Sequence, residues 1–142
     1  MYITLFDFFK IGIGPSSSHT VGPMVAANKY INFLKNNYNV SQILSIHVEL
    51  YGSLAFTGIG HKTPEGIILG LNGFNPEDIN DDVLQNVLNK NIIKIDSNKS
   101  IHFNKDSNII FNKTKTFDVH SNAIRFIGKI SAISNIEKTY FS

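Results

Sequence analysis

The apolar residues of this chain change their spacing several times along its length, and this limits the folds that the chain can adopt. Between Val25 and Leu34 they recur at the three- and four-residue intervals of an amphipathic helix. Between Ile43 and Leu50 they alternate with polar residues, as in a strand with one buried face. A chain that switches between the two periods needs a core shared by helices and a sheet.

More helices and strands follow this pair. "EGIILGLNGF" predicts a helix capped by Thr63, with Pro64 in its first position and a stop near Gly73. "INDDVLQNVLNK" predicts a third helix, with Asn80 or Asp81 as its cap. Six segments read as strands, and the turn "KDSN" joins the second of them to the third: "NIIKID", "SIHFN", "NIIFN", "TFDVH", "NAIRFIG" and "IEKTYFS".

The order of these elements predicts the fold class. Helices and strands do not alternate regularly, which favours an α+β fold: a largely antiparallel sheet with helices packed on one face. The length of 142 residues suggests a single domain, residues 1–142.

Composition excludes several classes of protein. The formal charge of +2 is small and its acids and bases are interspersed, so neither nucleic acid nor a membrane is indicated as a partner. The chain has no cysteine, which excludes disulfides, thiolate metal sites and cysteine nucleophiles within it. No apolar run approaches the ~20 residues of a membrane span, and "MYITLFDFFK" does not resemble a signal peptide. We therefore expect a cytoplasmic protein.

A run of small polar side chains precedes the first helix: Ser16, Ser17, Ser18, His19 and Thr20. Because a helix N-terminus has unpaired N–H groups, these hydroxyls and the imidazole would suit a carboxylate or phosphate there. The alternative is a capping loop with Thr20 as the N-cap of the first helix, but capping needs only one such residue.

Two further histidine segments bear on function. The segment "GSLAFTGIGHKT" reads as a second glycine-rich loop and contains His61. Its glycines allow a ligand close to the backbone, and an imidazole suits acid–base chemistry. His120 and Asn122, two residues apart on a strand, share a face. The alternatives are an exposed loop histidine and a solvated strand face. His47 and His102 are assigned no role.

From the residues alone, two classes of function stay open. One is a part of an enzyme that uses histidine for acid–base chemistry. The other is a binding or regulatory module for a small anion such as an amino acid.

Three stretches carry a resemblance to a known family. "LFDFFKIGIGPSSSHTVGPM" closely resembles the start of bacterial iron–sulfur-dependent L-serine dehydratases, also called L-serine ammonia-lyases. The likeness continues through "VELYGSLAFTGIGHKTPEGIILGLNGFNPEDI" and from "HSNAI" to "KTYFS", and it is weakest between about Asp81 and Lys115.

The resemblance implies a reaction and its partners. L-serine would be deaminated to pyruvate and ammonia with a [4Fe-4S] cluster, and without pyridoxal phosphate. The cysteines that hold the cluster would lie in a separate catalytic alpha domain or subunit, because this chain has none. The chain would be the N-terminal beta domain, inactive alone and part of a homodimer of the full enzyme.

The resemblance also suggests how the polar residues are used. The two glycine-rich loops and the His120 strand would form the wall that closes the active site. His61 or His19 would remove the α-proton, the Ser16–Thr20 loop would hold the carboxylate, and His120 and Asn122 would complete the substrate site.

A second family gives the alternative function. The beta domain resembles the allosteric substrate-binding domain of some D-3-phosphoglycerate dehydrogenases. This keeps open a non-catalytic regulatory domain that binds serine or another anion.

Overall fold

The computed structural model describes residues 21–57, 62–113 and 122–141. The helices within these ranges are α1 (Val21–Asn37), α2 (Ser53–Thr57), α3 (Thr63–Leu71), α4 (Asp81–Leu88) and α5 (Lys105–Asn108). The strands are β1 (Ser45–Gly52), β2 (Ile92–Asp96), β3 (Lys99–His102), β4 (Ile109–Phe111), β5 (Asn122–Lys129) and β6 (Asn135–Phe141). Short 3-10 helices cover Val40–Gln42 and Pro76–Asp78.

Four of these strands form one sheet in the order β4-β1-β5-β6, and β2 and β3 form a separate hairpin. β1 pairs antiparallel with β5, and β5 pairs antiparallel with β6. The short β4 pairs with β1 in parallel. The predicted α+β fold with a largely antiparallel sheet is confirmed.

One face of the sheet is the core, and α1 covers it. Val48 of β1 lies opposite Phe126 of β5, and both are fully buried. The ring of Tyr30 on α1 stacks on Phe126 with 5.0 Å between centroids. Burying a large apolar side chain of this kind stabilises the fold by about 1.5–3 kcal/mol. The alternation seen in β1 therefore predicts its buried face correctly.

The opposite face of the sheet is more polar. Glu49 of β1 lies beside Arg125 of β5, which in turn lies beside Thr139 of β6. Ile110 on β4 and Phe141 on β6, at the two edges of this face, are each 48% exposed.

Helix α3 packs closely against α1 at a glycine. A Cβ built on Gly70 would stand 2.2 Å from the carbonyl oxygen of Met24 and 2.7 Å from the Cβ of Ala27. Ile93 of β2 and Phe103, which directly follows β3, belong to the same core. Glycine at position 70 is thus what lets the two helix backbones approach.

Three local predictions are wrong. "KDSN" joins β3 to β4 as the short helix α5 and not as a turn, and the two strands have different partners: β3 pairs with β2, and β4 pairs with β1. "GSLAFT" is not all loop, because α2 begins directly after Gly52, which has φ 69°. The cap of α3 is Lys62 in a left-handed conformation, and Thr63 is its first residue.

The cap prediction for α4 is confirmed, and two other predictions fall outside the described residues. Asn80 caps α4, with its side chain accepting from the Val83 N–H at 3.0 Å. The predicted cap Thr20 and the strand "TFDVH" lie outside the described residues. In the described part of the chain, no helix is long and apolar enough to cross a membrane.

Candidate functional site

Among the side chains predicted for the site, the structure describes Asn122. The others lie outside the described residues: Ser16, Ser17, Ser18, His19, Thr20, His61 and His120. The nearest described neighbours of the three polar segments are Val21, Lys62 and Asn122.

Asn122 ties the start of β5 to the start of α2. It is the first residue of β5 and lies opposite Gly52, the last residue of β1. Its Oδ1 accepts a hydrogen bond from the Ser53 backbone N–H at 2.9 Å and another from the Ser53 hydroxyl. The carboxamide therefore caps α2 across the sheet, and its orientation is set by two donors.

The first turn of α1 lies beside the same strand ends. Gly22 and Pro23 line a cavity of about 110 Å³ together with Ile124 of β5 and Tyr140 of β6. Leu54 of α2 lines it as well. This cavity is small and largely apolar, so it does not suit an amino-acid zwitterion. It shows instead that the start of α1 lies next to β5 and α2.

The start of α3 lies near the carboxyl end of β1 too. Lys62 and Glu65 line a cavity of about 230 Å³ with Lys105 and Phe111. Phe111 pairs with Leu50, two residues before the end of β1. Glu65 forms an ion pair with Lys105 at 3.1 Å.

Described residues next to all three polar segments thus lie around one end of the sheet, the carboxyl end of β1. The backbone N–H groups at the start of α1 favour an anion, and the first turn of α1 has no acidic residue to compete. The end of the sheet is therefore chemically suited to a carboxylate.

A hydrogen-bonded network on the polar face of the sheet leads to this end. The Tyr51 hydroxyl donates to Glu49 Oε2 at 2.6 Å. Arg125 Nη1 lies 3.7 Å from Glu49 Oε1, and Arg125 Nη2 forms an ion pair with Glu137 Oε1. Burial, followed by the bond to Glu49, raises the pKa of Tyr51. The bond with Tyr51 raises the pKa of Arg125. Tyr51 therefore stays protonated at neutral pH and is suited to positioning and not to proton transfer.

The two histidines without a predicted role lie away from this end. His47 sits opposite Ile127 in the middle of the sheet, and burial lowers its pKa, with Lys129 as a second cause. Its Nδ1 is buried and has no hydrogen-bond partner among the described atoms. His102 on β3 is exposed. Within ranges 21–57, 62–113 and 122–141, no group of three or more His, Asp or Glu residues is placed to hold a metal ion.

Four residues near this end were not predicted from the sequence: Ser53, Glu49, Tyr51 and Arg125. Ser53 carried a usable signal, because serine is typical at the start of a helix and here follows a strand and a glycine. The other three carried none, since which strands pair cannot be read from the local pattern.

Comparison with known proteins adds a family. The family described as "Serine dehydratase beta chain" matches residues 4–142. The chain is 37% identical over 147 residues to an L-serine dehydratase of Streptomyces coelicolor, which covers 100% of the chain and 32% of that protein. It is 42% identical over 117 residues to an L-serine dehydratase of Haemophilus influenzae, covering 79% of the chain and 26% of that protein.

A third relative matches the chain to a similar extent. The chain is 39% identical over 145 residues to L-serine dehydratase TdcG of Escherichia coli, covering 99% of the chain and 32% of that protein. The chain spans about a third of the length of these curated relatives.

Proposed function

The chain belongs to the serine dehydratase beta chain family, and from this premise we propose that residues 1–142 are the beta domain of an enzyme that deaminates L-serine to pyruvate and ammonia. The observation that carries the proposal is the convergence of residues next to the three polar segments at the carboxyl end of β1. The name of the relatives, L-serine dehydratase, supports serine as the substrate of the full enzyme.

In this proposal each polar segment has a different role toward the substrate. Serine presents a carboxylate, which needs donors, and an α-proton, which needs a base. The Ser16–Thr20 segment precedes the N-terminus of α1 and supplies donors where an anion is favoured. His61 takes the α-proton, because a neutral imidazole flanked by glycine approaches a substrate closely. His120 and Asn122 complete the site.

The iron–sulfur cluster belongs to another part of the enzyme. A [4Fe-4S] cluster is held by cysteine thiolates, and this chain has no cysteine, so its residues do not fit the cluster. The relatives are about three times as long as the chain. We propose that the catalytic alpha domain, corresponding to their remaining length, holds the cluster and that the enzyme uses no pyridoxal phosphate.

The test is kinetic and uses the enzyme assembled from this chain and the catalytic part. His61→Ala should lower kcat on the order of 10²-fold, as expected when a general base is removed. The matched control is His102→Ala, because His102 is exposed on β3. It should change kcat by less than about twofold, as surface substitutions do.

Two results would change the assignment. If His61→Ala kept its kcat while His19→Ala abolished turnover, His19 would be the base. If neither substitution affected turnover, the regulatory function would be favoured. Calorimetry of L-serine binding to this chain would then measure that function directly.

A further inference from the structure

The hydrogen bonds of Asn122 determine which way its carboxamide points. A backbone N–H only donates, so the side-chain atom 2.9 Å from Ser53 N must be the oxygen Oδ1 and not Nδ2. The Ser53 hydroxyl bonds the same oxygen. The Nδ2 group, with its two N–H donors, therefore points away from Ser53.

The two bonds also restrict the motion of Asn122. Both donors come from one residue, and that residue is fixed at the junction of β1 and α2. Asn122 is itself held in the sheet by its pairing with Gly52. A carboxamide with its oxygen fixed in this way presents its N–H groups in one direction, so little rotamer entropy is lost when they bind an acceptor.

We propose that Ser53 is a positioning residue: it orients Asn122 so that the Nδ2 group donates to the carboxylate of the amino-acid substrate. This rests on the function proposed above. Ser53 acts through Asn122, and Asn122 is the residue that touches the substrate. Because the carboxylate does not change during removal of the α-proton, the contact stabilises the bound substrate and the transition state equally.

The first experiment measures KM and kcat for L-serine in the assembled enzyme. Ser53→Ala removes the hydroxyl donor and keeps the backbone N–H, so KM should rise roughly 3- to 10-fold, the effect of one neutral hydrogen bond. The kcat should stay within about twofold, since uniform binding is lost. Ser53→Thr keeps the hydroxyl and should restore most of the affinity.

The matched control is Ser131→Ala. The Ser131 hydroxyl also bonds nearby backbone N–H groups, those of Ile133 and Ser134, at 3.3 and 3.1 Å. It lies in the turn between β5 and β6, at the opposite end of the hairpin from Asn122. KM should not change in this variant.

A double-mutant cycle separates positioning from a general structural effect. Asn122→Ala alone should raise KM about 10- to 100-fold, as loss of a hydrogen bond to a charged group does. Adding Ser53→Ala to Asn122→Ala should then raise KM no further, because Ser53 would have nothing left to orient. Additive effects on KM would overturn the proposal.

Nuclear magnetic resonance gives a second readout on this chain by itself. The Asn122 Nδ2 resonances should show a rigid side chain in the wild type and in Ser53→Thr, and a more mobile one in Ser53→Ala, which keeps only the bond from the backbone N–H. An equally rigid Asn122 in Ser53→Ala would overturn the proposal even if that variant were less stable.

The outcomes distinguish this inference from the function on which it rests. If Asn122→Ala raised KM and Ser53→Ala did not, positioning by Ser53 would be wrong and the substrate site would stand. If Asn122→Ala left KM unchanged, both the site assignment of Asn122 and the role of Ser53 would be wrong. An assembled enzyme that did not turn over L-serine would contradict the proposed function itself.

Discussion

At the scale of single residues, Tyr30 links α1 to the far edge of the sheet. Its ring is fully buried, and its hydroxyl donates to the Ile136 carbonyl oxygen at 2.6 Å. Burial raises the pKa of Tyr30 well above the ordinary tyrosine value, so the hydroxyl remains a donor throughout the physiological range. The same hydroxyl lies against Gly128, where a Cβ would stand 2.7 Å away.

Tyr30→Phe should destabilise the fold by about 1–2 kcal/mol, because the Ile136 carbonyl loses its buried donor while the ring stays in place. Urea unfolding followed by circular dichroism measures the change. Tyr38→Phe is the matched control, since Tyr38 is 40% exposed, and it should be close to neutral. Equal losses in the two variants would contradict the importance of the buried bond.

His47 should make the fold sensitive to acid. Burial holds its pKa below the ordinary 6.5, with the positive charge of Lys129 as a lesser cause. As the pH falls below 6.5, the unfolded chain therefore takes up a proton that the folded chain resists. The stability that depends on neutral His47 is thus present above this pH and lost below it.

The measurement is the urea midpoint between about pH 7 and about pH 5, the range in which histidine titrates. His47→Gln should flatten the decline in stability relative to the wild type. His102→Gln, at an exposed histidine, should leave the decline unchanged. A wild-type midpoint that stays constant over this range would show that His47 titrates alike in the folded and unfolded chain.

At the scale of elements, the contact between α1 and α3 depends on the missing side chain of Gly70. Gly70→Ala should gain about 1 kcal/mol of helix propensity. It should nevertheless be destabilising by about 1–3 kcal/mol overall, as overpacking is, because the new methyl meets the Met24 carbonyl at 2.2 Å and backbone cannot easily move. Thermal unfolding measures the net effect.

The control is Gly22→Ala, also within a helix, where a Cβ would meet nothing within 4 Å. This variant should be neutral or slightly stabilised, because alanine favours a helix more than glycine does. If both variants were stabilised, the two helices would be able to separate at no cost.

The local pattern predicts elements better than it predicts their partners. The helices at Val21–Asn37 and Asp81–Leu88 and the strand Ser45–Gly52 follow from spacing and capping, which are local properties. The parallel pairing of β4 with β1 does not follow from local spacing. A contact made from outside the strand, by Asn108 at the end of α5, contributes to it. The Asn108 side chain donates to the Ile46 carbonyl oxygen at 3.0 Å, which holds the two chain segments together.

The same distinction applies to the site. The sequence pattern places Asn122 on the same strand face as a histidine, but its side chain accepts hydrogen bonds from Ser53, 69 residues earlier in the chain. No periodicity carries that information. The type of residue was predictable, whereas its neighbour depends on the pairing of β1 with β5.

At the scale of the whole molecule, the proposed function gives this chain one wall of a site and assigns the cluster to the catalytic alpha domain. We predict that the chain alone binds no iron–sulfur cluster and has no dehydratase activity, because it has no thiolate to hold the iron. Anaerobic incubation with iron and sulfide, followed by visible absorption and a pyruvate assay, measures both. A stoichiometric cluster or sustained turnover from this chain would contradict the assignment of the cluster to the catalytic alpha domain.

The bond between Ser53 and Asn122 also has a consequence for synthesis of the protein. Ribosomes add about 5–20 residues per second, so the 69 residues that separate the two partners take roughly 3–14 s to make. Until β4 is made β1 has neither of its strand neighbours, and until β5 is made it lacks its longer, antiparallel one, so its apolar face, including Val48 and Leu50, is without the complete sheet that later surrounds it. The nascent chain therefore passes through a period in which its central strand is open to chaperones or to aggregation, and it ends when β5 emerges.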